Sequence, residues 1–207
     1  MTVFPLFENI DHKTFLIIGG GNVARRKVEK LMAFTNRIVV IAGETEITGV
    51  KVIRRDFAMS DLAMGDFVIA ATDEREKNRQ IADYCREHRI PVNVVDDPEL
   101  CSFIFPSVVK RGDLTIGIST GGTSPAYAQL LRKTLERNLP SQIGGILERM
   151  GRLRAVVPEQ IPEQERRAGC YREILSELLV SNNATSDKEI EDIIYRWHYH
   201  LEESRDG

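Results

Sequence analysis

Residues 14–24 read Thr14-Phe15-Leu16-Ile17-Ile18-Gly19-Gly20-Gly21-Asn22-Val23-Ala24. The apolar run up to Ile18 is short and uninterrupted, as in a strand buried on both faces. Three glycines follow at once. Val23, Val28, Leu31 and Met32 then recur at helical spacing. Strand, glycine turn and helix together form a GxGxxA turn. Its first glycine permits a tight reversal, Gly21 lets the backbone approach a pyrophosphate, and Ala24 lets the helix pack close to the sheet. The unpaired N–H groups of the helix N-terminus then face the phosphates. A glycine-rich turn serving only to reverse the chain is the alternative reading. The strand on one side and the helix on the other favour the dinucleotide.

Working outward, Arg37–Ile41, Val50–Arg54, Asp66–Ala70 and Pro91–Val95 read as further strands, and 74–88 as a helix with Ile81, Tyr84 and Cys85 on one face. Nearly continuous apolar strands alternating with helices predict a parallel sheet covered on both faces. Right-handed crossovers then give a Rossmann-like, doubly wound α/β fold of strand order 3-2-1-4-5. After Asp97 the pattern changes. Two strands, 103–109 and 114–119, flank the turn-like Lys110-Arg111-Gly112-Asp113. Ser124 with Pro125 reads as the cap and first residue of a helix running to about Asn138. Helices are expected at 141–156, 163–180 and 187–203, separated by Pro158, Pro162 and 181–186. The expected division is a nucleotide domain (1–112), a small α+β dimerisation region (113–142) and an all-helical C-terminal module (143–207).

Composition limits the class. The chain has 207 residues, 42% hydrophobic and 29% charged, enough for a packed core. Its net charge of −3 argues against a nucleic-acid partner. The longest apolar runs, such as 67–71, fall far short of the roughly 20 residues a membrane helix needs. Residues 1–9 carry no secretory pattern. Cys85, Cys101 and Cys170 form no CxxC clip, so a reduced, cytoplasmic setting is expected. No metal site is expected: His198 and His200 are two apart on a helix and do not share a face.

Several residues carry chemistry. Glu44, the first acid after strand two, is either a ligand of the adenine ribose or a solvated loop charge. Thr72 closes strand four, where the ligand crevice of such a sheet lies. Asp73 reads as the cap of the next helix. Asn93-Val94-Val95-Asp96-Asp97-Pro98 closes strand five with two acids, which alternation would send to different sides. A carboxylate at this edge can accept a proton during hydride transfer. Asp97, before proline, reads as a turn acid.

Taken together, Phe4-Pro5-Leu6-Phe7, Gly19 to Lys27 (GGGNVARRK), Ala70-Ala71-Thr72-Asp73, Asn93 to Pro98 (NVVDDP), Cys101-Ser102-Phe103, Pro106-Ser107 and Ser119 to Pro125 (STGGTSP) resemble the precorrin-2 dehydrogenases, found also as the N-terminal half of siroheme synthases. The resemblance runs over about residues 3–140. It implies NAD-dependent oxidation of precorrin-2 to sirohydrochlorin; some members also insert Fe²⁺. It implies Asp96 as general base, NAD contacts at Asn22-Val23 and Gly43-Glu44, and a homodimer. It also implies that Ser119, Thr120, Gly121, Gly122, Thr123 and Ser124 lie near the tetrapyrrole. Two departures stand out: Ala42-Gly43 replaces the family's usual Ala-Pro, and Thr120 replaces a serine. An anionic macrocycle needs cations, and Lys110, Arg111, Arg132, Lys133, Arg149, Arg152 and Arg154 are the candidates. A dinucleotide-sensing regulator without catalysis is the competing reading. It would need the glycine turn but neither Asp96 nor STGGTSP.

Overall fold

A computed structural model describes residues 2–199. The chain divides into two compact units, Phe4–Phe105 and, together with the first few residues, 106 onward. The nucleotide-domain boundary expected at residue 112 cuts a hairpin that belongs wholly to the second unit.

The first unit is built on a five-stranded parallel sheet of order β3-β2-β1-β4-β5, as the crossover rule predicts. The strands are β1 (Phe15–Ile18), β2 (Ile38–Ile41), β3 (Lys51–Ile53), β4 (Phe67–Ala70) and β5 (Val92–Val94). β1 is central, with Leu16 level with Val39 on one side and Val68 on the other. All four β1 side chains are buried, and their alternation separates two cores. Leu16 and Ile18 join Val68, Ile81, Ala82 and Cys85 of the face covered by α2 (Arg75–Glu87). Phe15 and Ile17 join Ala24, Val28 and Leu31 of α1 (Asn22–Met32).

The apolar face of α1 is thus Ala24, Val28 and Leu31, whereas Val23 and Met32 are exposed. Val23 sits in the first turn of α1, beyond the sheet edge. Ile17 is fully buried, so Ile17→Ala should cost about 2–5 kcal/mol, read from the urea midpoint. A loss under about 1 kcal/mol would contradict this packing.

The second unit opens with the antiparallel hairpin β6 (Ser107–Arg111) and β7 (Leu114–Ile118). The strand expected from 103 begins only at Ser107. Phe103 and Phe105 instead pack against the α1-side core of the first unit, and Pro106 has no N–H to enter a ladder. α3 (Pro125–Asn138) is capped by Ser124, whose Oγ accepts from the Tyr127 N–H at 3.3 Å, as expected. α4 (Ile143–Gln160), α5 (Gln164–Val180) and α6 (Asp187–Tyr199) follow. Pro158 does not end α4; it lies in the last turn, and the helix continues to Gln160. Ile146, Val157, Cys170, Ile174, Leu178, Ile190 and Ile194 form this unit's core. The part of α6 expected beyond 199, with His200, lies outside the described residues.

Candidate active site

Every element of the site hangs on the C-terminal edge of the parallel sheet. A cleft of about 550 Å³ opens there, lined by Gly19, Gly21, Asn22, Val23, Gly43, Glu44, Thr72 and Asp96, with Arg55, Asp56, Phe57, Asp73 and Lys77. The eight residues expected to meet cofactor or base chemistry in the first unit therefore share one crevice.

The glycines differ in kind. Gly19 has φ +112°, and a Cβ there would fall 2.2 Å from the Ala71 carbonyl oxygen. A Cβ on Gly20 would fall 2.5 Å from the Glu44 carbonyl oxygen. Both positions exclude any side chain for reasons of packing. Gly21 has an ordinary φ of −77° and open space around its Cβ position. Nothing in the protein within 4 Å of a Cβ at Gly21 requires glycine there, whereas a pyrophosphate approaching the N-terminus of α1 would. That N-terminus has no side-chain cap and no acid in its first turn, leaving its N–H groups available to an anion. The residues present fit a dinucleotide.

At the far end of the cleft, Glu44 is exposed. Asp56 lies across from Gly43, its Oδ1 3.5 Å from a Cβ built there. Arg55 is committed to the buried Asp61 through two hydrogen bonds of 2.7 and 2.6 Å. These bonds hold the Asp61 carboxyl below the usual carboxylate range. Thr72 lines the cleft, but its hydroxyl donates to Asn78 Oδ1 at 2.8 Å and accepts from the Glu74 N–H at 3.3 Å. Asp73 does not cap α2; Glu74 occupies that position without a side-chain bond.

β5 stops at Val94, so Asp96 is not on the strand. It lies in the following turn with φ +59°, a left-handed conformation that aspartate tolerates better than most residues. The turn, rather than strand alternation, separates the two acids. Asp96 is exposed to the cleft. Asp97 has only 15% of its side chain exposed and meets Arg75 at 3.6 Å.

Cys101, half-buried, closes this turn. Its Sγ accepts from the Val94 N–H at 3.1 Å and lies 3.4 Å from the Asp97 carbonyl oxygen. Burial pushes its thiol up from the usual value. Cys85 and Cys170, fully buried in the cores of the first and second unit, are pushed up to about 11.

Residues 119–124 belong to the second unit. Gly121 N–H donates to Ser119 Oγ at 3.1 Å, Thr123 Oγ1 to the Thr120 carbonyl at 2.6 Å, and Ser124 N–H to Thr120 Oγ1 at 3.1 Å. These bonds make a self-supporting loop at the start of α3, with Gly122 and Thr123 exposed. The candidate cations fare unevenly. Arg149 is bound to the Thr185 carbonyl and Asp187, both at 2.7 Å, and is a structural residue. Arg132 and Arg152 pair with Glu136 and Glu148. Among the described residues no group of three or more His, Cys, Asp or Glu is placed to hold a metal, and no helix is long and apolar enough to cross a membrane.

Residues 6–107 match a family model described as "Putative NAD(P)-binding", and residues 111–138 one described as "Sirohaem biosynthesis protein central". A siroheme synthase of Thioalkalivibrio sulfidiphilus is 35% identical over 201 residues, covering 91% of this chain and 41% of that protein. One from Methylococcus capsulatus is 38% identical over 175 residues, covering 81% and 37%. The chain is a siroheme synthase homologue. It spans about two fifths of the length of the curated relatives it matches. Among solved structures, "SirC, precorrin-2 dehydrogenase" superposes with a TM-score of 0.66 at 18% identity, covering 96% of this chain and all of that one. It shares the fold.

Sequence reasoning missed Gly20, Asp56, Phe57 and Lys27. Gly20 stands inside the glycine turn itself, whereas Asp56 and Phe57 follow β3 and reach the cleft only through the sheet. Lys27 lies on a helix where a lysine ordinarily reads as solvated.

Proposed function

We propose that this chain oxidises precorrin-2 to sirohydrochlorin, with NAD as oxidant. The observation that carries the reading is the single cleft uniting an uncapped helix N-terminus at Gly21 with a strained, solvent-facing Asp96. The names of its relatives support the same reaction. Bound NAD⁺ would take a hydride from the macrocycle, becoming NADH. The chain's own work is to hold the pyrophosphate at Gly21, Asn22 and Val23, and to accept at the Asp96 carboxylate the proton lost with that hydride. Asn22, Val23, Gly43 and Glu44 are read as cofactor contacts and residues 119–124 as substrate contacts, while Thr72 shapes the crevice through Asn78.

NAD rather than NADP is supported by charge. Glu44 and Asp56 bring carboxylates to the end of β2 and β3, and Arg55 is already neutralised by Asp61. A 2′-phosphate placed there would meet like charge. A cytoplasmic setting is supported by three unpaired thiols.

Anaerobic incubation with precorrin-2 and NAD⁺ should produce NADH and the sirohydrochlorin spectrum, with NADP⁺ a poorer oxidant. Repeating it with Fe²⁺ reads whether the metal is a second substrate. Tight NAD binding with no turnover would instead support the regulator.

We also propose a homodimer built on the second unit. β6 and β7 form a two-stranded sheet, and α3 exposes Tyr127 and Leu130. Such surfaces call for a partner. Sedimentation at micromolar concentration should give twice the chain mass; an active monomer would overturn this assembly.

A further inference from the structure

Lys27, in the second turn of α1, does not point into solvent as its amphipathic helix suggests. Its ammonium donates to Asn93 Oδ1 at 3.1 Å and sits 4.0 Å above the centre of the Phe105 ring. Asn93 is a buried polar residue in the middle of β5. Its Nδ2 donates to the Phe103 carbonyl at 3.0 Å and reaches Cys101 Sγ at 3.5 Å. Cys101 in turn holds the Val94 N–H and faces the Asp97 carbonyl, bracketing Asp96. A continuous chain of contacts therefore runs from the cofactor helix through β5 to the turn of the general base.

We propose that Lys27 is a positioning residue for the dehydrogenation, tying α1 through Asn93 and Cys101 to the turn that presents Asp96. The inference rests on the reading of Asp96 as the base, and it adds a residue that touches neither cofactor nor substrate. The geometry is that of a latch: an ammonium clamped between an amide oxygen and an aromatic face, in a site where an apolar side chain would leave Asn93 Oδ1 without this donor. Burial, with Lys30 on the same helix, lowers its pKa to about 8, opposed by Cys101 and Asp96 from the loop after β5. The ammonium is thus lost as pH rises through about 8, and with it the charge held over the Phe105 ring.

The test compares wild-type, Lys27→Met and Lys27→Arg in three measurements. NAD affinity should change little in either variant. Turnover of precorrin-2 should fall by about 10- to 100-fold in Lys27→Met, the scale of a displaced catalytic group, with KM for NAD nearly unchanged. Lys27→Arg, charged at all working pH, should recover turnover and lose the fall in rate that wild-type shows above about pH 8. Hydrogen exchange at the Val94 and Ser102 amides should quicken by about tenfold in Lys27→Met while the β1 amides are unchanged, a readout independent of turnover. If Lys27→Met matches wild-type in rate, alkaline limb and exchange, the latch is overturned. If wild-type shows no turnover but the exchange difference appears, the latch stands and the dehydrogenase reading falls.

Discussion

Asp96→Ala is expected to lower turnover of precorrin-2 by about 10²–10⁴-fold, the usual cost of removing a general base, while NAD still binds. The structure sharpens the control. Asp96 occupies a left-handed turn, where alanine adds a backbone penalty of about 1–2 kcal/mol. Asn tolerates that conformation, so Asp96→Asn removes the base without straining the turn. The two variants should be equally inactive, with Asp96→Asn the more stable. Asp97→Ala should be far milder for turnover, since Asp97 faces Arg75 and is mostly covered. A dead Asp97→Ala beside a nearly normal Asp96→Asn would move the base by one residue. Normal rates in both would leave water or substrate as proton acceptor.

Gly21→Asp should fold like wild-type and bind NAD at least about 10²-fold more weakly, because a carboxylate would stand against the pyrophosphate. Folding is expected to survive because a Cβ at Gly21 meets nothing within 4 Å and φ is ordinary. Gly19→Ala is the contrast: the Ala71 carbonyl stands 2.2 Å from its Cβ, so stability should fall before binding can be asked about. Calorimetric titration of NAD into each, beside its thermal midpoint, separates the two. Unchanged NAD affinity in folded Gly21→Asp would take the pyrophosphate away from this turn.

Local signals made the first unit readable. The β1 run, the glycines after it and the apolar strands specify a parallel sheet, and crossover handedness then leaves one strand order. The misreadings arise where residues answer to distant partners. Phe103 and Phe105 look like strand residues, yet the α1-side core takes them. Val23 fits a helical stripe but lies past the sheet edge. Arg149 reads as a free cation until α4 meets the 181–187 loop. Lys27 and Asn93 are 66 positions apart, and no periodicity links an exposed-looking lysine to a strand amide. The turn of Asp96 was hidden for another reason: an acid before an acid and a proline is compatible with either strand end or turn, and only backbone geometry decides.

The three thiols are distributed so that the native chain carries its own set of chemical reporters. Cys85 lies at the bottom of one core and Cys170 at the bottom of the other, both fully covered and both protonated well beyond neutrality. Only thiolate reacts with an alkylating reagent, and only when it is reached. Each of these two is therefore labelled when its own unit opens. Cys101, half-buried against the Asp97 carbonyl, is labelled by the smaller opening of one loop. A timed alkylation followed by peptide mapping would thus record three events in one unmodified sample: loosening of the Asp96 turn, melting of the nucleotide unit and melting of the helical unit. NAD should slow the second selectively, which would reveal which half of the chain the ligand protects.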